Sequence, residues 1–166
     1  MCPVKKTDAT APAGPPRDTD ELWSSTLAAE TPFLLARARA LVVKGSNQVL
    51  RELGLNVRTF SLLWLTTEDY SPTQRQLSDF LDLDPSQIVA LIDSLESQGL
   101  VERRLNPADR RMRQIVATTR GRKLLTKARA AVDESTARTL GALSADQQDQ
   151  LRELLLAVNQ APPYYE

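Results

Sequence analysis

The sequence predicts a mainly α-helical chain with one small β-hairpin, and three observations carry that expectation. Apolar residues recur at helical spacing in segment after segment, each opened by a capping residue. The one stretch that departs from this pattern, Leu100 to Ala117, holds two extended runs around the turn Asn106-Pro107-Ala108-Asp109. The length, 166 residues without internal repeats, suits one domain, or one domain plus appendages, with its own core.

Residues 1–17 carry Pro3, Pro12, Pro15 and Pro16 among Ala, Thr and Gly, and are expected to form a disordered tail, as a C-terminal tail is at 161–166. Order is expected from Asp18, whose spacing to Glu21 is that of a capping box, in a short helix with Leu22, Trp23 and Leu27. Thr31 and Pro32 read as N-cap and first-turn proline of a long helix through Leu34, Leu35, Ala38, Leu41, Val42, Val49 and Leu50, ending at Leu53-Gly54. Asn56 caps a third helix, apolar almost all round (Phe60, Leu62, Leu63, Trp64, Leu65) and therefore central.

Thr73 and Gln76 form the next capping box, ahead of Leu77, Phe80 and Leu81. Only Asp82-Leu83 separates that helix from a cap at Asp84. Pro85 suits the first helical position, Gln87 completes a capping-box-like pair with Asp84, and Gly99 supplies the stop. Ile88, Leu91, Ile92 and Leu95 make one buried stripe and leave Ser86, Gln87, Ala90 and Ser94 outside. Beyond the hairpin, Thr118 or Thr119 caps a long helix to about Leu140. Ser144 with Gln147 then opens a last helix with Leu151, Leu154, Leu155 and Val158 on one face.

Two helices joined by so tight a turn make a helix-turn-helix, and the second has the small, polar outer face that a DNA major groove accepts. Net charge is zero, yet residues 101–127 hold nine basic residues against Glu102 and Asp109, a local +7 that leaves −7 for the rest. A positive block on the hairpin and the helix after it points to a polyanionic partner rather than to a merely solvated face.

Histidine is absent and the only cysteine is Cys2, so Ser-His-Asp and Cys-His chemistry, a disulfide within the chain and the commonest zinc ligand are all missing. Asp79, Asp82 and Asp84 straddle a helix end and the next cap and read as structural. No catalytic residue, metal or cofactor is expected. With no signal peptide and no apolar run that could span a bilayer, the protein is expected to be cytoplasmic and away from membranes.

From Thr31 to Gln160 the chain resembles the MarR family of winged helix-turn-helix transcriptional regulators. The resemblance rests on Thr73-Gln74-Arg75-Gln76-Leu77, Leu83-Asp84-Pro85-Ser86, Leu91-Ile92-Asp93-Ser94-Leu95-Glu96, Gly99-Leu100-Val101-Glu102-Arg103-Arg104 and Asn106-Pro107-Ala108-Asp109-Arg110-Arg111. The chain departs from the family in carrying Val89-Ala90 where many members have Thr or Ser then Arg, Ser94 in place of a frequent Arg, and Ala117-Thr118 in place of Leu-Thr.

The resemblance implies a dimer on inverted-repeat, double-stranded DNA, with each recognition helix (84–98) in a major groove and each wing (105–113) at a minor groove. The DNA-contacting set is then Thr73, Arg75, Ser86, Gln87, Val89, Ala90, Ser94, Arg110, Arg111 and Arg113, with Asp109 fixing the wing. Residues 56–118 would form the DNA-binding lobe, and 18–55 with 119–160 the dimerisation region, its interface built by Leu34, Leu41, Leu151, Leu154, Leu155 and Val158. A small aromatic or phenolic ligand would release a repressor from DNA, with Phe33, Arg37, Phe60 and Trp64 lining its site unless the apolar three are simply core. The alternative is a winged-helix module for protein contacts without specific DNA binding.

Overall fold

Local capping chemistry sets most of the helix boundaries. Asn56 accepts the Thr59 N–H (3.0 Å) while Thr59 Oγ1 accepts the Asn56 N–H (2.9 Å), which opens α2 (Val57–Leu65). Thr73 and Gln76 close the expected box at the head of α3 (Gln74–Leu81), and Asp82 ends that helix in the left-handed conformation at φ 50°. Ser144 and Gln147 do the same for α6 (Ala145–Gln160). Thr118, not Thr119, caps α5 (Thr119–Thr139): its hydroxyl accepts the Gly121 N–H at 3.0 Å. α4 spans Pro85–Ser97 and stops ahead of Gly99, whose φ of 67° is the left-handed value a glycine adopts without strain.

The computed structural model describes residues 19–106 and 113–160. The expected tails (1–17 and 161–166), the cap Asp18 and the wing residues Asp109, Arg110 and Arg111 lie outside the described residues.

Three expectations need correction. α1 covers Thr31–Arg51 and begins on the residue expected to cap it, because Glu30 O already accepts the Leu34 N–H at 3.0 Å. The short helix around Leu22 and Leu27 is instead a pair of 3₁₀ turns, Asp20–Ser24 and Thr26–Ala29. Ser25 between them is extended, and its hydroxyl donates to Leu22 O (2.7 Å), a carbonyl that a continuing α-helix would use. Gln87 does not close a box with Asp84: the short Asp84 side chain accepts from the Ser86 N–H (2.8 Å) and hydroxyl (2.6 Å) instead.

The hairpin is β1 (Val101–Leu105) antiparallel to β2 (Arg113–Ala117), in register from Val101 opposite Ala117 to Leu105 opposite Arg113. The α2–α3 connection runs beside β2: Ile115 N–H donates to Pro72 O (2.9 Å), Ala117 N–H to Thr66 O (3.0 Å), and Thr73 bridges Gln114. Ile88, Ile92 and Leu95 of α4 bury completely with Leu62, Leu63, Leu77, Leu100 and Ile115, so helices and hairpin share one core. That mixture of helices with one antiparallel hairpin is a winged helix-turn-helix.

The described residues form two compact units, 41–139 and 19–40 with 140–160. In the second unit α6 buries none of its residues, and Leu154, Leu156 and Val158 are 60%, 50% and 69% exposed.

Candidate nucleic-acid interface

The face of α4 opposite its buried stripe is set by helix periodicity. Ser86, Ala90, Asp93 and Ser97 follow one another at i, i+4, i+7 and i+11 along its outer line, with Gln87 and Ser94 on one shoulder and Val89 on the other. All are exposed except the half-buried Val89. At the helix head, hydrogen bonds from the Ser86 hydroxyl and then the Ser86 N–H hold the Asp84 carboxyl below its usual pKa. The Gln87 amide, freed from the expected box, stays on the exposed surface of the first turn. A helix with short side chains along its outer line is narrow enough for its backbone to approach base edges.

Thr73 caps α3 beside the hairpin and is half-buried, while Arg75, fully out in solvent, pairs loosely with Asp79 at 3.7 Å. Arg113 is exposed at the start of β2. The positive block is smaller than the sequence suggested. Arg103 donates to Asp93 (2.5 Å) and to Glu96, Arg104 pairs with Glu102, and Arg122 donates to Thr67 O at 2.7 Å. The hydrogen bond to Asp93, before any other influence, raises the Arg103 pKa above its usual value. Arg113, Arg120, Lys123 and Lys127 make no ion pair among the described residues.

Sequence reasoning missed both Asp93 on the outer line and its union with Arg103. The first was legible from spacing, since Asp93 lies seven residues after Ser86. The second needed the tertiary placement of β1 against α4.

A sequence profile of the MarR family matches residues 53–112. A MarR-family transcriptional regulator from Rhodococcus sp. RHA1 is 37% identical, with a TM-score of 0.76 over 82% of this chain and 98% of that one. The chain belongs to the MarR family. CouR from Rhodococcus jostii RHA1, solved bound to p-coumaroyl-CoA, is similar at 38% identity and a TM-score of 0.75, over 86% of this chain and all of that one (100%). The HTH-type transcriptional repressor Rv2887 of Mycobacterium tuberculosis is 28% identical over 123 residues, 74% of this chain and 88% of that protein.

In this MarR-family transcriptional regulator the residues considered for a ligand fall into two sets. Phe33 and Arg37 belong to the smaller unit, where the Arg37 guanidinium lies 4.8 Å from the Trp23 ring centre. The hollow that Phe33 and Arg37 line with Leu22 and Trp23 is about 110 Å³, below the range of about 300–1,000 Å³ common for ligand pockets. Phe60 and Trp64 belong to the larger unit, with ring centres 5.6 Å apart and planes at 76°. Phe60 is buried in the core. Trp64 is half-buried and carries the Arg129 guanidinium 4.0 Å from its ring centre, a pairing the sequence did not single out.

Among the described residues no helix is long and apolar enough to cross a membrane, and no group of three or more His, Cys, Asp and Glu could hold a metal ion.

Proposed function

We propose that this regulator is a homodimeric repressor that reads an inverted repeat in double-stranded DNA and is released by an aromatic acid or its coenzyme A thioester. The observation that carries the reading is the two-sided character of α4. Three apolar side chains are fully buried on one side, and the outer line on the other side carries the short Ser86 and Ala90 in its N-terminal half, with Gln87 beside them.

In this reading Ser86 and Gln87 enter the major groove first. Gln87 is suited to an adenine edge, and Val89 and Ala90 to a thymine methyl. Thr73, Arg75 and Ser94 stand at the margins of the groove. Arg110 and Arg111, with Asp109 bracing them, and Arg113 at the start of β2 supply phosphate or minor-groove contacts that position the protein.

Dimerisation is supported by apolar side chains that one chain leaves uncovered. Leu154, Leu155 and Val158 of α6, and Leu34 and Leu41 of α1, are exposed, and Leu151 is half-buried. Fully burying an exposed side chain of this kind is favourable by about 1.5–3 kcal/mol, and covering these partly exposed ones gains a corresponding fraction of that. Two-fold symmetry then sets half-sites about 10 bp apart or at a multiple of that spacing. For release, Arg129 stacked over the half-buried Trp64 ring puts a cation against an aromatic side chain, a pairing that suits an aromatic ligand bearing a carboxylate or phosphate. That CouR was solved with p-coumaroyl-CoA supports this ligand class.

Selection of bound duplexes from a random pool, followed by competition with p-coumaroyl-CoA and p-coumarate, tests the reading. Enrichment of a palindrome that either compound releases is expected. A pool that stays random after repeated rounds would refute it.

A further inference from the structure

Arg103 lies in the basic block, on the strand that leads into the wing, and at first sight is one more cation for DNA. Its geometry says otherwise. The side chain is only 22% exposed and turns back onto α4, where one guanidinium nitrogen meets Asp93 Oδ1 at 2.5 Å and another meets Glu96 Oε2. Glu96 Oε1 also accepts the Arg103 backbone N–H at 3.2 Å, so strand and helix are tied by main chain and side chain together. The two carboxylates remain partly in solvent, at 58% and 39% exposure, and Asp93 lies on the outer line of α4 between Ala90 and Ser97.

A carboxylate on that line faces a polyanion when the helix enters a groove, and its charge is unfavourable there unless a cation cancels it. A forked guanidinium fits this task better than an ammonium, because it engages two carboxylates at once in fixed directions. The same contacts tie β1 to α4 at Arg103.

We infer that Arg103 is a positioning residue for DNA binding, not a DNA contact. It offsets the negative charge that Asp93 and Glu96 place on the reading helix, bringing it from −2 to −1, and locks the hairpin to that helix. This inference rests on the DNA-binding reading above. It also explains how a recognition helix with carboxylates in its C-terminal half can serve a DNA-binding surface: one +1 charge is committed inward, leaving Arg113 and the residues of the wing tip to face the nucleic acid.

The test uses the duplex that the wild-type protein enriches and a random duplex of equal length, with affinities measured across a salt series. Arg103→Gln is expected to bind the enriched duplex at least tenfold more weakly, with a log–log salt slope that stays near the wild-type value. Loss of a direct phosphate contact would instead lower the slope by about 0.9. Adding Asp93→Asn and Glu96→Gln to Arg103→Gln should recover more than half of the lost affinity on a logarithmic scale, because the uncancelled charges are gone.

Asp93→Asn/Glu96→Gln with Arg103 intact keeps the inference testable even if Arg103→Gln folds poorly. It frees the guanidinium and should tighten binding to the random duplex at least threefold. A slope lowered by about one unit in Arg103→Gln, unchanged affinity in that variant, no recovery in the triple variant or no tightening in the double variant each overturn the inference. Wild-type protein that enriches no duplex overturns the DNA-binding reading beneath it, a result separate from any of these.

Discussion

Replacing Gly121 by alanine sets two opposing effects against each other, and the structure decides between them. Alanine in a helix is better than glycine by about 1 kcal/mol, so propensity alone predicts stabilisation. At Gly121, however, a Cβ would lie 2.1 Å from Leu100 O, 3.0 Å from Leu100 C and 3.2 Å from Leu63 Cδ1. Relief requires a displacement of about 1.4 Å or more between the first turn of α5 and the start of β1, since non-bonded heavy atoms sit at about 3.5–4.0 Å. That boundary is held by backbone: Thr118 N–H donates to Leu100 O at 3.0 Å, and the Thr118 hydroxyl donates to Gly99 O at 2.7 Å.

Overpacking of this kind costs about 1–3 kcal/mol, and weakening the two hydrogen bonds adds about 1 kcal/mol each. Set against the propensity gain, Gly121→Ala should be destabilising by about 2–4 kcal/mol. For a chain of this size that lowers Tm by about 5–12 °C. Thermal melts followed by circular dichroism measure it directly. Gly45→Ala is the control, because its Cβ would meet only the Ser135 hydroxyl at 2.9 Å and the Thr139 hydroxyl at 3.5 Å, side-chain atoms rather than backbone. It should stay within about 1 kcal/mol of wild type. A Gly121→Ala protein that melts at or above the wild-type temperature would refute the close approach of α5 to β1.

Asp84, whose pKa is lowered in the fold, should stabilise α4 fully above the ordinary carboxylate value and lose that contribution as pH falls below it. Urea midpoints measured from pH 7 to pH 2.5 should therefore show wild type losing more stability on acidification than Asp84→Asn. Asn56→Ala removes the side-chain acceptor of the box that opens α2, leaving its backbone N–H bond to Thr59 Oγ1, and should cost about 1 kcal/mol by chemical denaturation, with no change in oligomeric state. Truncation before Ser144 removes α6 with its exposed Leu154, Leu156 and Val158. Sedimentation should then show a monomer or an aggregate, and a well-folded dimer would count against α6 as the interface.

The sequence made the helix boundaries legible wherever the deciding interaction is local. The boxes of Thr73 with Gln76 and Ser144 with Gln147 are pairs three residues apart, and both form as their spacing predicts. Local reasoning failed where two short-range options compete, as at Asp84, which reaches Ser86 rather than Gln87, and at Ser25, whose hydroxyl interrupts a helix. It was blind to partners brought together by the fold. Arg103 reads as one of nine equivalent cations until β1 is laid on α4, and nothing in the local sequence pairs Arg129 with Trp64 until α5 meets α2. The winged helix was thus legible from caps and periodicity, whereas the charge that its binding face presents was not.

In the proposed function α4 reads DNA through the line that starts Ser86 and Ala90. Ala90 is exposed, and glutamate at that position leaves Ile88, Ile92 and Leu95 in place. Fluorescence anisotropy of the enriched duplex with Ala90→Glu tests the claim most directly, with circular dichroism confirming unchanged helix content. Ala90→Glu should abolish specific binding while the protein remains folded, with its oligomeric state unchanged. Binding as tight as wild type would mean that α4 does not enter the groove.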